Sequence, residues 1–431
     1  MTDKRSERTR REFLRDSARL GAAAWAAGGI ASRPAAAATE TSRVFRVDGC
    51  PVHDGRLRHV GLDTLLDLLA DNGVKLYRTP SDHPWGGPGG IINSGDVVLV
   101  KVNCQWKCRG TTNTDLLRGL IHRILGHPDG FAGEVVVMEN GQGRGGFDGV
   151  TQGTGSYASW PAIANTVHVN AEDETVLTVE HLVRDVFLAQ PVSSYLLDPI
   201  RFRFINASDH VSDGYRTVSP PAGLTPASPV SYPCFTTAGG RRIELREGRW
   251  TGGGHAGDLK LINVPVLKHH DGSGVTGVLK HVCGLVSMSD GQSPVRHYAE
   301  IGSQCGKVWS LVRAPDLNIL DCIWVSQDSL TGYPPETTRR CNVLLAGLDP
   351  VALDYHASKH VLLPLGGRYA GQHDPDRFEG LLNMLAGAQT FINATGGVAG
   401  APAVMGDANI EVIARSAPQA AFPRRVLRRA R

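Results

Sequence analysis

A cluster of titratable side chains directly follows one apolar run of this chain. Residues 259–267 have the continuous apolar pattern of a buried strand, and two glycines just beyond it permit a tight loop. The cluster consists of Lys268, His269, His270, Asp271, Thr276 and Lys280. Ligands of open α/β sheets collect at the carboxyl ends of strands, so this cluster predicts a ligand site there.

The residue types in the cluster suggest separate roles. Lys268 and Lys280 could hold an anionic group and His270 could transfer a proton, so these three are the catalytic candidates. Thr276 is a ligand-binding candidate, because a helix is predicted over residues 275–285 and its first amides favour an anion. The alternative is a polar loop whose histidines only cap or hydrogen-bond.

Metal chemistry is a second interpretation of the same residues. His269, His270 and Asp271 are the candidate metal ligands, although neither the metal nor any other cofactor is identified by the sequence. Cys104 and Cys108 form a C-x-x-x-C pair, which could be a disulfide, a partial metal site or two unrelated thiols. No ferredoxin-type iron–sulfur motif occurs.

Two further segments are expected to reach the same cleft. Residues 96–102 predict a buried strand that delivers Lys101 and Asn103 at its end, and both are ligand-binding candidates. A helix over 113–125 and a strand over 134–138 complete a strand–helix–strand unit. Asp349 opens a predicted helix, where it is either a ligand-binding residue or a cap for exposed amides.

Alternating strands and helices predict an α/β fold with a mainly parallel sheet flanked by helices. The α/β domain is expected over residues 95–395, preceded by a lead-in over 39–94. Residues 156–255 are rich in Pro and Ser and are interpreted as a long irregular insertion or lid. Residues 396–431 are expected to be a tail, which is basic at its end.

Three segments together resemble the family known as domain of unknown function 362. The stretch with Lys268, His270, Thr276, Lys280 and Gly284 is similar to the family's central motif. The segment of this chain from Lys101 to Asn103 is similar to the end of the family's early strand. The segment L-A-G-L-D-P-V-A-L-D, which contains Asp349 and Asp354, is similar to the family's late motif. The resemblance implies a cleft built from these positions and no defined activity. His281 departs from the family's usual Asn, and the ferredoxin-like module of many relatives is missing.

The N-terminal residues resemble an export signal. Arg10 and Arg11 precede Phe13 and Leu14, an Ala/Gly-rich run follows, and an Ala tract over 35–38 offers a cleavage site. This order is similar to a twin-arginine signal over residues 1–38, which the twin-arginine export machinery would read. The mature protein is then expected in the periplasm or outside the cell. It is not expected to be an integral membrane protein after cleavage.

The charge of the chain argues against a nucleic-acid partner. The net charge is +3, and residues 1–38 hold eight Lys/Arg and four Asp/Glu, so the remainder is near −1. The last nine residues contain five arginines, which leaves a mildly acidic body without a basic face.

Three hypotheses remain open at this stage. The first is an enzyme that acts on an anionic small molecule with a metal or other cofactor. The second is a non-catalytic extracytoplasmic protein that binds a ligand or metal in the same cleft. The third is a redox partner that uses Cys104 and Cys108.

Overall fold

A mixed, mainly parallel sheet forms the centre of the protein. The computed structural model describes residues 41–50, 58–106, 108–142, 170–171, 178–291 and 295–418. The strands of the central sheet are β1 (Ser42–Asp48), β4 (Val97–Val102), β5 (Glu134–Glu139), β6 (Val192–Leu196), β12 (Leu259–Val264), β13 (Val266–His270), β14 (Gly274–Thr276), β15 (Leu317–Ser326), β16 (Thr338–Gly347) and β17 (Ile410–Ser416). Their order is β17-β1-β16-β15-β12-β4-β5-β6, and β13 and β14 branch from β15. The predicted α/β class is confirmed.

Helices cover both faces of this sheet. They are α1 (Val60–Asp71), α2 (Thr114–Leu125), α3 (Val179–His181), α4 (Val278–His281), α5 (Met288–Gly291), α6 (Ile301–Lys307), α7 (Pro350–Ala357) and α8 (Glu379–Ala394). The apolar residues of α1 and α2 join one buried cluster with Val98 and Val100, whereas α6, α7 and α8 join a second cluster with Val97 and Leu99. Alternate residues of β4 therefore serve opposite cores, as period-2 geometry requires.

Local sequence explains the first strand–helix–strand unit. All six residues of β4 and all six of β5 are buried, which fits a parallel sheet covered on both faces. Helix α2 begins after Asn113, whose side chain accepts a hydrogen bond from the amide of Leu116. The predicted strands and helix are thus present, with ends shifted by about one residue.

A second, antiparallel sheet lies against the central one. Its strands are β7 (Gly214–Val218), β8 (Val230–Thr236), β9 (Arg242–Glu244), β10 (Gly248–Trp250) and β11 (His255–Ala256). Its order is β11-β10-β9-β8-β7, and its side chains share a core with the central sheet. Phe235 stacks on Tyr195 of β6 with ring centroids 4.2 Å apart. A short parallel pair, β2 (Tyr77–Arg78) and β3 (Gly86–Gly87), completes the strands of the described residues.

Strands of the two sheets also come from the segments predicted as lead-in, insertion and tail. Strand β1 comes from the expected lead-in and β17 from the expected tail, yet they pair in parallel along seven residues inside the central sheet. The described part of the expected irregular insertion, residues 178–255, contains β6 and the whole antiparallel sheet. The pairing of β1 with β17 joins segments that are far apart in sequence, so local pattern does not reveal it.

No helix among the described residues combines the length and apolarity needed to cross a bilayer. The expected signal over residues 1–38 lies outside the described residues.

Candidate functional site

A polar cleft lies where β4, β5 and β13 end. It holds about 540 Å³ of space, including the part open to solvent. The described residues that line it are Asn103, Gln105, Trp106, Glu139, Gln142, Lys268, His270, Thr276, Lys280, His281, Cys283, Gly284, His297 and Leu330. Five residues selected from the sequence are therefore brought together: Asn103, Lys268, His270, Thr276 and Lys280.

Pro265 separates β12 from β13, the strand that carries Lys268 and His270. Pro265 has no amide hydrogen, and the predicted single strand over 259–267 is divided there into β12 and β13. The amide of Val266 donates instead to Oδ1 of Asn103 at 3.0 Å. Strand β13 then pairs with β15 through an irregular register between Val266 and Lys268, as at a bulge that redirects side chains.

A buried ion pair forms the floor of the cleft. Lys101 contacts the carboxylate of Glu139, and their side chains are 1% and 4% exposed. Lys101 also donates to the carbonyl of Val102 at 2.9 Å and to Nε2 of His281 at 3.1 Å. Burial raises the pKa of Glu139 to about 7, against the opposing effect of Lys101. Lys101 therefore has a carboxylate partner for its charge, whereas no ion pair among the described residues joins Lys268 or Lys280 to a carboxylate.

His281 is held as a neutral base beneath the cleft. Since the ammonium of Lys101 can only donate, Nε2 of His281 accepts, and Nδ1–H donates to Oδ1 of Asn263 at 2.5 Å. Burial, reinforced by Lys101, holds the pKa of His281 well below its ordinary value. His281, which stands where the resembled family usually has Asn, thus contributes to the floor of the cleft.

Two other lysines reach the cleft with little compensation. The amine of Lys268 donates to the carbonyl of Gly110 at 2.6 Å, and burial lowers its pKa to about 7. The amine of Lys280 donates to Nε2 of His297 at 3.3 Å, and burial lowers its pKa too. Glu139 is the one carboxylate among the described residues that line the cleft, and it already pairs with Lys101. Both amines are therefore poorly compensated when protonated.

His270 is placed as a base at the same opening. Its Nδ1–H donates to the carbonyl of Asp271 at 2.6 Å, because a carbonyl oxygen only accepts. Burial, Lys280 and His297 together hold its pKa well below the ordinary value, so the ring is neutral at pH 7. Nε2 of His270 therefore carries a lone pair, in a ring whose centroid is 5.4 Å from that of His297.

The amides expected to bind an anionic ligand have another partner. The structure starts helix α4 at Val278, and both of its first free amides donate to Asp354, from Val278 at 2.6 Å and from Leu279 at 2.9 Å. A Cβ on Gly277 would lie 2.2 Å from Oδ1 of Asp354, so glycine is needed for this approach. The positive end of this short helix is thus occupied by the protein's own carboxyl group.

Asp349 lies apart from the cleft. Its Oδ1 accepts from the amides of Val351 and Ala352 at the start of α7, at 2.9 and 3.2 Å. Its Oδ2 accepts from Ser42 and from the amide of Val404. These contacts favour the capping interpretation, and the ligand-binding role of Asp349 stays a prediction.

The candidate metal ligands are not gathered on one side of β13. His270 lines the cleft, whereas the adjacent ring of His269 stacks on Tyr369 with centroids 4.2 Å apart. His269 also contacts His373 at 3.1 Å and Asp271 at 3.2 Å. Successive side chains of a strand point to opposite faces, and this separates the two histidines.

A different group in the antiparallel sheet offers three metal-type ligands. One ligand atom each from His210, Glu244 and His255 lies within 4.8 Å of the others. Glu244 is fully buried, and its two oxygens contact His210 at 2.5 Å and His255 at 2.7 Å. Arg216 also contacts Glu244 at 2.7 Å, so the carboxylate has a cationic partner within the protein. Trp250 stacks on His210 with ring centroids 3.8 Å apart. The group fits a divalent cation by ligand type and fits an ion-pair network by contact.

Several cleft residues were not identified from the sequence as site residues. Glu139 directly follows the predicted strand over 134–138, at the same sheet edge as Lys101, and that position was the available signal. His297 lies outside the segments that the sequence analysis selected. Cys283 has no spacing motif that would mark it. Cys104 and Cys108 are both buried in the structure.

Comparison with known proteins adds one match. Residues 257–359 match the family model described as Domain of unknown function (DUF362). The matched range contains Lys268, His270, Thr276 and Lys280, whereas Lys101 precedes it. No curated protein matches the chain, and no solved structure does. The match supports the resemblance to this family and adds no activity.

Proposed function

We propose that the cleft binds a small molecule with a phosphate or carboxylate group, and that the protein is an enzyme acting on that molecule. The observation that carries this proposal is the pair of buried amines, Lys268 and Lys280, which face a cleft whose described carboxylate is already paired. A bound anion supplies the missing negative charge and allows both amines to be protonated.

His270 is the group assigned to proton transfer. A neutral imidazole with one nitrogen fixed as donor leaves the other free to accept a proton from a bound molecule. The lysines orient the anionic group of the substrate, and His270 acts on the part nearest its Nε2. Changes to the two lysines should therefore affect binding, whereas a change to His270 should affect turnover.

Binding is tested with inorganic phosphate and citrate as probes, by calorimetry and thermal shift. The variants are Lys268→Met and Lys280→Met. Losing one charged contact of about 1.5–3 kcal/mol should weaken binding roughly 10- to 100-fold. Lys307→Met is the matched control, since Lys307 is a buried lysine that contacts Ser228 and does not line the cleft. Equal affinity in all three variants and the wild type contradicts the proposal.

Turnover is tested with mixtures of phosphorylated and carboxylated small molecules, followed by mass spectrometry. The wild type should deplete a compound that also raises its Tm, and His270→Gln should bind that compound without depleting it. A compound that raises the Tm of the wild type and stays intact instead indicates a non-catalytic binding protein.

We also propose that the protein is exported through the twin-arginine route. The support is the sequence of residues 9–38, with its paired arginines, apolar run and Ala tract. Replacing Arg10 and Arg11 by lysine should retain the protein in the cytoplasm in a cell-fractionation assay. Normal export of that variant would contradict the assignment.

A further inference from the structure

Two thiols are in contact at the wall of the cleft. Sγ of Cys283 lies 3.7 Å from Sγ of Cys305. Cys283 lines the cleft and is 6% exposed, whereas Cys305 is completely buried behind it on α6. A disulfide joins sulfur atoms at about 2.0 Å, so the two atoms need to approach by less than 2 Å to form one. One thiol is thus reachable from the cleft, and the second is placed to react with the first.

The surroundings distinguish the two sulfur atoms. Either sulfur can be the donor in the contact between the two thiols, and Lys280 lies three residues before Cys283 in the chain. The hydrogen bond with Cys305, together with Lys280 and Lys101, lowers the pKa of Cys283, while the same pairing raises the pKa of Cys305. Cys283 therefore has more thiolate character, which is the nucleophilic form, and Cys305 retains its proton more strongly.

We propose that Cys283 and Cys305 form a redox-active dithiol site whose substrate is a small-molecule disulfide that enters through the cleft. The Cys283 thiolate attacks one sulfur of the substrate, and the substrate disulfide breaks to release one small thiolate. Cys305 then loses its proton and attacks Sγ of Cys283, which forms the Cys283–Cys305 bond and releases the second small thiolate. The two protein sulfurs are oxidised, and the substrate disulfide is reduced to two small thiolates. One of these takes up the proton released by Cys305, and the other takes a proton from solvent, which had received the proton of Cys283.

This activity goes beyond anion binding and does not depend on it. A neutral substrate, hydroxyethyl disulfide, tests the dithiol alone, because it has no group for Lys268 or Lys280 to hold. Oxidised glutathione carries carboxylates and tests whether the lysines add to the reaction. Failure of the anion proposal therefore leaves the result with the neutral disulfide interpretable.

The experiment uses the full chain, reduced and freed of reductant, then incubated with hydroxyethyl disulfide and quenched with acid. Intact mass should fall by two hydrogen atoms, and peptide mapping should recover a Cys283–Cys305 cross-link. Cys305→Ser should instead accumulate a mixed disulfide on Cys283. Cys283→Ser should leave Cys305 unmodified, because that thiol has no exposed surface. Cys234→Ser, which changes a buried thiol of the antiparallel sheet, should behave as the wild type.

Two results would overturn the proposal. One is a wild type in which Cys283 and Cys305 both remain free for alkylation after oxidation. The other is a folded Cys305→Ser protein without an adduct on Cys283. Circular dichroism confirms folding of each variant, and Cys283→Ala replaces Cys283→Ser if the serine variant does not fold.

Discussion

Removing one member of the buried Lys101–Glu139 pair should destabilise the protein far more than removing both. Their side chains are 1% and 4% exposed, so neither charge can be solvated when its partner is lost. Loss of one partner of such a pair typically costs about 3–5 kcal/mol, whereas apolar replacement of both is often neutral. We therefore expect Lys101→Met and Glu139→Leu each to lower the free energy of unfolding by about 3–5 kcal/mol.

The double variant should recover most of that loss. It does not recover all of it, because Lys101 also donates to Val102 and His281, and an unpaired buried acceptor costs about 1–3 kcal/mol. The expected cost of the double variant is then about 1–3 kcal/mol, and the coupling energy between the two sites is at least about 3 kcal/mol.

The pH dependence of Lys101→Met gives an independent check. Glu139 has a pKa of about 7 in the folded wild type, and removal of Lys101 should raise it further. An acid whose folded pKa is raised destabilises the fold as pH rises from its unfolded pKa to its folded pKa. Above pH 7 Glu139 is already ionised in the folded wild type, so its ionisation no longer lowers the stability of that protein. In Lys101→Met it is still protonated in the folded state, so the variant continues to lose about 1.4 kcal/mol per pH unit. The deficit should therefore widen from pH 7 to pH 8.

Denaturant unfolding at both pH values measures these quantities. Fluorescence and circular dichroism should give coincident transitions before a single free energy is assigned. The double-mutant cycle would refute the buried ion pair if the stability loss of the double variant equalled the sum of the two single losses to within about 0.5 kcal/mol. A deficit of Lys101→Met that is constant between pH 7 and 8 would refute the account of Glu139.

Three further predictions concern other parts of the protein. Phosphate affinity should fall as pH rises above 7, by up to about tenfold per unit, because Lys268 must take up a proton to bind; calorimetry in buffers of different ionisation enthalpy detects this uptake. Gly277→Ala should lower stability by about 1–3 kcal/mol through the clash with Asp354, and an unchanged Tm would contradict the close approach. Zn²⁺ should raise the Tm of the wild type and not of His210→Ala or Glu244→Gln; an insensitive wild type would leave these residues as an ion-pair network.

The parts of the fold predicted from sequence are those fixed by local pattern. Strand β4 is a valine-rich run, and α2 begins directly after Asn113, whose side chain caps it. The convergence of Lys268, His270 and Lys280 was predicted because they follow the expected strand over 259–267, although the structure places the first two within β13 and the third on α4. Each of these predictions needs only neighbours within about a dozen residues.

The remaining features depend on partners that are distant in sequence. Strands β1 and β17 are almost the whole chain apart, and no local signal specifies their parallel pairing. Pro265 was inside the predicted strand, and its effect on register becomes clear only with the neighbouring β15 in place. The partner of the α4 amides is Asp354, about 75 residues further on. The polar cluster was therefore predictable from the sequence, whereas Glu139 as the partner of Lys101 and Asp354 as the partner of the α4 amides were not.

That pattern of compensation determines which residues remain for a ligand. Lys101 is paired with Glu139, and the first amides of α4 are paired with Asp354, so neither needs an anion from solution. Among the described residues, the hydrogen-bond partners of Lys268 and Lys280 are neutral groups, a carbonyl and an imidazole. Protonation of either amine in the empty cleft costs desolvation energy, and a bound anion offsets that cost. The affinity of the cleft for anions therefore resides in these two lysines and is coupled to proton uptake, which the pH dependence of phosphate binding measures directly.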